Sequence, residues 1–186
     1  MHWGRILAAG LLLLVLAGCG AGSFTTVGDF STVAPRVTPI APGRYVVATS
    51  PDDPGLVFEL RESGDYAVTL RPEDPPLELS VFGPLEGFYI AQLRQSEPQI
   101  GTGATYGNFV FSVATDGSLS IVDDLAIRTA LGDVLFGELG VTASEPPAIG
   151  ALTDNAVLNW TILQHAIAGH AATFPYQGKL VPAAGP

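Results

Sequence analysis

The chain has 186 residues, enough for one ordinary domain, and a formal charge of −10 from 18 acidic and 8 basic residues. Nucleic-acid binding needs clustered Lys and Arg to displace counterions, and a single lysine, Lys179, among scattered arginines forms no such patch. Apolar residues make up 47% and charged residues 14%, so a true core can be buried and global disorder is excluded. One cysteine permits no internal disulfide, which leaves packing alone to stabilise the domain.

In chain order, a short n-region ends at Arg5 and an apolar run extends from Ile6 to Ala17. That run falls short of the roughly 20 residues a spanning helix requires and suits the h-region of a signal peptide. It closes with Leu16-Ala17-Gly18-Cys19, which resembles the lipobox of bacterial lipoproteins. The resemblance covers the first tenth of the chain. It implies removal of residues 1–18 as a signal peptide, with cleavage between Gly18 and Cys19 by signal peptidase II. It also implies a diacylglycerol on the Cys19 thiol and acylation of the new amino group. Each buried methylene contributes about 0.8 kcal/mol, so two or three chains give stable attachment where one is marginal. The resemblance thus implies a cell-envelope protein held by lipid. Gly20 stands where an aspartate would favour inner-membrane retention, so the periplasmic face of the outer membrane is expected if the source is Gram-negative.

Residues 20–42 are rich in Gly, Ser, Thr and Pro and carry no apolar period. With Cys19 they predict a lipidated, flexible tether over 19–42, and a single mostly β domain over 43–186. A first edge strand at Phe24-Thr25-Thr26-Val27 is the competing reading.

After Pro42 the pattern is that of strands: Arg44–Thr49, Leu56–Leu60, Tyr66–Leu70 behind the turn residues Glu62-Ser63-Gly64-Asp65, and the alternating Leu77–Val81. The order then recurs. Gly87-Phe88-Tyr89-Ile90-Ala91 parallels Gly43–Val47, Val110–Val113 parallels Val57–Leu60, and Leu119-Ser120-Ile121 follows Asp116-Gly117-Ser118 as Tyr66–Val68 follows Gly64-Asp65. A Gly-rich stretch at 101–107 absorbs the extra length of the second copy. The expectation is a small antiparallel β domain built on a duplicated strand-loop-hairpin unit, with copies at 43–82 and 87–122. Tyr45 and Tyr89 would then be equivalent, either as packed cross-strand anchors or as a ligand-stacking pair.

Asp123 with Gly132 brackets a short helix over Leu125–Leu131. A C-terminal helix is predicted over 153–174, capped by Thr153 or Asp154, with Ala156, Trp160, Leu163, Ile167, Ala171 and Phe174 on one stripe; Leu158 and Ile162 fall on the far side, which implies burial on more than one face or a partner.

No pattern of catalytic residues emerges. His165 and His170 are five apart, about 140° around a helix, whereas a zinc-binding pair is spaced four with a glutamate between. There is no Gly-x-Ser-x-Gly elbow for a serine nucleophile. Gly101-Thr102-Gly103 lacks the third glycine of a dinucleotide loop. Asn159-Trp160-Thr161 matches a glycosylation sequon but falls inside the predicted helix. Asp52-Asp53, Glu73-Asp74 and Asp123-Asp124 are neighbours that point to opposite faces in a strand, poor geometry for acid–base work, and read as solvated turn acids. A loop calcium site at Asp52 and Asp53 is the minor alternative, without EF-hand spacing.

No enzyme, cofactor or metal site is therefore expected. Cys19 is the one site residue, and membrane lipid is its partner. The expected function is a membrane-anchored envelope lipoprotein whose β domain binds or scaffolds another envelope component. The alternative is a small-ligand or metal-ion binding lipoprotein.

Overall fold

A computed structural model describes residues 24–94, 105–138 and 155–183. The signal segment, Cys19 and the stretch 95–104 lie outside the described residues. Among the described residues there are nine strands: β1 (Phe24–Val27), β2 (Gly43–Val47), β3 (Leu56–Leu60), β4 (Tyr66–Thr69), β5 (Leu77–Leu85), β6 (Phe88–Arg94), β7 (Thr105–Val113), β8 (Leu119–Val122) and β9 (Tyr176–Pro182). From β2 to β8 each strand pairs with the next, all antiparallel. β9 then inserts between β8 and β2 and closes the ring. The domain is an eight-stranded antiparallel barrel. The expected mostly β architecture is present, in a more specific form than a small β domain.

Closure follows from the alternation read in the sequence. Tyr45, Phe58, Tyr66, Val68, Leu79, Val81, Ala91, Leu93, Phe111, Leu119, Ile121 and Leu180 form one buried cluster inside the barrel. The opposite faces of β5, β6 and β7 are also apolar: Phe82, Phe88, Ile90 and Val110 point outward into a second cluster. A strand buried on both faces needs a covering layer. Two helices supply it, α1 (Asp124–Asp133) and α2 (Ala156–His170).

The Asp123 carboxylate caps α1, accepting from the Ala126 amide at 3.1 Å, and a π-helical turn continues it through Glu138. α2 is capped by Asn155, whose Oδ1 accepts from the Leu158 amide at 3.1 Å. The predicted bounds 153–174 therefore contract: Thr153 and Asp154 lie outside the described residues, and residues 171–173 form a 3-10 turn. Of the predicted stripe, Leu163, Ile167 and Phe174 are buried, while Asn159, Ile162 and Ala166 replace Ala156 and Trp160 on the innermost face. Of the two residues expected on the far side, Ile162 joins the buried face and Leu158 is exposed.

The segment expected as a tether belongs to the domain from Phe24 onward. β1 pairs with the first half of β7, along the edge β8 does not reach. A 3-10 turn follows at Phe30–Thr32. Phe24, Phe30, Ala34 and Ile40 are all buried. Arg36 then bridges to Phe82, and the Val37 amide donates to the Val81 carbonyl at 2.9 Å, extending the sheet where β4 has ended. The absence of an apolar period is what misleads: this segment is a strap whose apolar residues enter two different cores, so no single repeat links them.

The two predicted copies can be compared strand by strand. In β3–β4 Phe58 faces Val68, and in β7–β8 Phe111 faces Ile121, the correspondence expected of copies. The turns agree as well. Arg61 donates to the Asp65 carbonyl and Gly64 to that of Arg61; Ala114 donates to Ser118 and Gly117 to Ala114, all at 2.9–3.0 Å. Gly64 and Gly117 take φ of 85° and 78°, the left-handed backbone such turns favour glycine for. The preceding strands disagree: Phe58 lies opposite Gly43, whereas Phe111 lies opposite Tyr89, a difference of two residues.

Candidate functional site: the barrel interior and its strap

The inward faces of the strands meet around a cavity of about 20 Å³. Ile40, Leu56, Phe58, Val68, Leu77, Leu79, Leu93, Phe109, Phe111, Leu119, Ile121 and Leu180 line it, and every one is apolar. Such a cavity is little larger than a water molecule needs, and offers that water no polar partner. The interior is apolar where that of a membrane-spanning barrel is polar. No family model, curated protein or solved structure matches the chain.

Beside the cavity, the strap seals one end of the barrel. Ile40 enters the interior cluster, and its backbone is bound by a strand side chain. The Tyr66 hydroxyl donates to the Ile40 carbonyl at 3.0 Å and accepts from the Ile40 amide at 3.1 Å. The Tyr45 hydroxyl donates to the Ala41 carbonyl at 3.1 Å. Burial raises the pKa of both phenols above the ordinary tyrosine value, against the opposing effect of these backbone bonds. Both hydroxyls stay protonated and serve as structural donors.

An ion pair reinforces the seal. Arg36 Nε lies 3.0 Å from Asp65 Oδ1, and the Ser80 hydroxyl donates to the same oxygen at 2.6 Å. The Asp65 side chain is 5% exposed, so the partnership compensates a carboxylate that has lost its water. Farther along, Gln92 and Asn108 fix β1 and the 3-10 turn to the barrel's outer wall. Gln92 Oε1 accepts from the Phe30 amide at 3.0 Å, Gln92 Nε2 donates to the Gly28 carbonyl at 3.2 Å, and Asn108 Nδ2 donates to Thr26 Oγ1 at 3.0 Å. These polar residues were not singled out by sequence reasoning. Gln92 in an otherwise apolar β6 was the available signal.

The remaining candidates are dispersed. Tyr45 is wholly buried and bound to the strap; Tyr89 is partly buried, its ring 5.6 Å from that of Phe111. The two are not a ligand-stacking pair, and their surroundings differ. Trp160 packs edge-on to Phe30 and Phe82 at 5.4 and 6.2 Å, an anchor between α2 and the strap. Asn159 is buried inside α2. His170 contacts Asp133 at 3.4 Å and stacks on Phe174, while His165 lies on the exposed side of α2. Asp53 offers its backbone carbonyl to Arg44, with Asp52 exposed beside it. Asp123 is a helix cap, and Asp124 is raised above the usual carboxylate range by burial, offset by Gln177 and Arg128. Among the described residues no group of three His, Cys, Asp or Glu is placed to hold a metal ion. Gly101-Thr102-Gly103 lies outside them.

Proposed function

We propose that the chain is the precursor of a membrane-anchored envelope lipoprotein, lipidated at Cys19, whose barrel is a non-catalytic binding or scaffolding domain that works through its outer surface. The observation that carries the second half is the filled interior. Small-molecule sites occupy roughly 300–1,000 Å³ and include a few convergent polar groups; about 20 Å³ lined only by apolar side chains supports a structural core instead. The alternative, a small apolar ligand held inside the barrel, draws on the apolar lining of that cavity. The Leu16-Ala17-Gly18-Cys19 sequence supports the anchor, and Gly20 supports the periplasmic face of the outer membrane in a Gram-negative source.

Two measurements test this. Metabolic labelling with a fatty-acid probe should mark the wild-type protein, and Cys19→Ser should lose the label while the domain still folds. Titration of the domain with a fluorescent apolar reporter, N-phenyl-1-naphthylamine, should show no saturable binding. Saturable binding competed by a fatty acid would overturn the surface reading in favour of the ligand one.

The matching turns at 61–65 and 114–118 support a duplicated origin for the units 43–82 and 87–122. The two-residue register difference ahead of them means that any duplication has drifted in β2 or β6.

A further inference from the structure

We infer that α2 is the face of the domain that rests on the lipid bilayer. This deepens the anchored-lipoprotein reading and depends on it. Only five residue steps separate Cys19 from Phe24, the first residue of β1. A fully extended chain spans about 3.3–3.6 Å per residue, so the lipidated residue lies within about 18 Å of Phe24. Phe24 belongs to the outer core with Ile162, Leu163, Ala166 and Ile167 of α2. At the other end of β1, a side chain placed on Gly28 would meet Ala156 at 3.4 Å. The anchor therefore leaves the domain alongside α2, and the helix layer is the outermost one on that side.

The outward face of α2 fits a lipid surface. Val157 is 61% and Leu158 38% exposed, and Thr161, His165 and Ala168 continue the exposed side. No acid or base other than histidine occurs in α2, and all 18 acidic residues of the chain precede Asn155. Asp133 contacts His170 of α2, and Asp29 contacts Arg36 of the strap. A chain of charge −10 thus turns a neutral, partly apolar helix toward a membrane that commonly carries anionic lipid. Side chains such as Val and Leu at this position enter the headgroup boundary and add to the hold of the acyl chains.

The chain's tryptophans are Trp3, in the signal segment, and Trp160, on α2. The mature protein therefore carries one tryptophan, one turn from Val157. The test reconstitutes the mature lipidated protein into phosphatidylethanolamine–phosphatidylglycerol vesicles with or without dibrominated phosphatidylcholine. Flotation reads the anchor and Trp160 quenching reads the face. Brominated lipid should quench Trp160, and the double variant Val157→Asp, Leu158→Asp should float equally, keep its melting temperature and lose the quenching. Protein that floats with Trp160 unquenched would overturn the inference, as expected if another protein covers α2. Wild-type protein that neither floats nor incorporates the fatty-acid label would overturn the anchor reading, and this one with it.

Discussion

The phenol of Tyr66 on β4 binds both polar backbone atoms of Ile40, taking its amide at 3.1 Å and giving to its carbonyl at 3.0 Å, across 26 residues of sequence. Both Tyr66 and Ile40 are buried, so neither Ile40 group has water as an alternative. Tyr66→Phe should therefore cost about 2–3 kcal/mol, the penalty for stranding a buried donor and acceptor. Tyr45→Phe, which loses one bond to the partly buried Ala41 carbonyl, should cost about 1 kcal/mol. Urea denaturation of the two variants checks the order; equal costs would show that the seal does not depend on Tyr66.

Phe30 tests whether the strap is structural. Its ring is fully buried between Phe82 and Trp160. Phe30→Ala should destabilise by about 3–5 kcal/mol, the range for an aromatic removed from a core. A loss below about 1 kcal/mol, within the usual range of surface substitutions, would return residues 24–42 to the status of a linker.

The barrel interior gives a symmetric test. Phe58 and Phe111 are both buried in it, and each faces an apolar partner on the following strand. Each Phe→Ala variant should cost about 3–5 kcal/mol by chemical denaturation. A tolerant Phe111 beside an intolerant Phe58 would show that the interior has a soft side, and would revive a ligand site there.

Two carboxylates set opposite pH trends. Asp116 is held below the usual carboxylate range by Ser118, whose backbone amide donates to its Oδ1 at 2.9 Å. Its favourable contribution is present above the unfolded-state value and is lost as pH falls through the folded one. Asp124 is raised, chiefly by burial. The folded state then binds its proton more tightly, so stability declines as pH rises from the unfolded value through the folded one. Asp124→Asn should flatten that decline in thermal melts from pH 3 to 7, and Asp116→Asn should flatten the acid limb. An unchanged profile for both would refute these assignments.

Much of the barrel wall was legible because inward apolar residues recur two apart within strands, as Tyr66 and Val68 do on β4 and Leu79 and Val81 on β5. β1 was legible only as the competing edge-strand reading of Phe24-Thr25-Thr26-Val27, since it is short and its place is decided by the unoccupied half of the β7 edge. β9 was not recognised at all. It has one buried apolar residue, Leu180, with Gly178 and Pro182 beside it, and gains its strand character by filling the gap between β8 and β2. The seal was equally illegible, because hydroxyl-to-backbone bonds between Tyr66 and Ile40 leave no periodic trace. Cys19 was the reverse case, a site read from local spacing and lying outside the described fold.

The closing strand also sets the order in which the molecule can be completed. β2 and β8 pair with neighbours on one side as soon as they exist, yet their other edges meet only through β9, the last strand in the chain. A chain emerging N-terminus first therefore carries an open seven-stranded sheet with two raw edges until residue 182 is free. Such edges are templates for pairing with other chains, and the closing contacts span well over 100 residues, from Val46 to Val181. Loop closure over that distance makes the last step slow. Truncation after Pro175, a loss of eleven residues, would remove β9 and leave an aggregating sheet in place of a slightly shortened barrel.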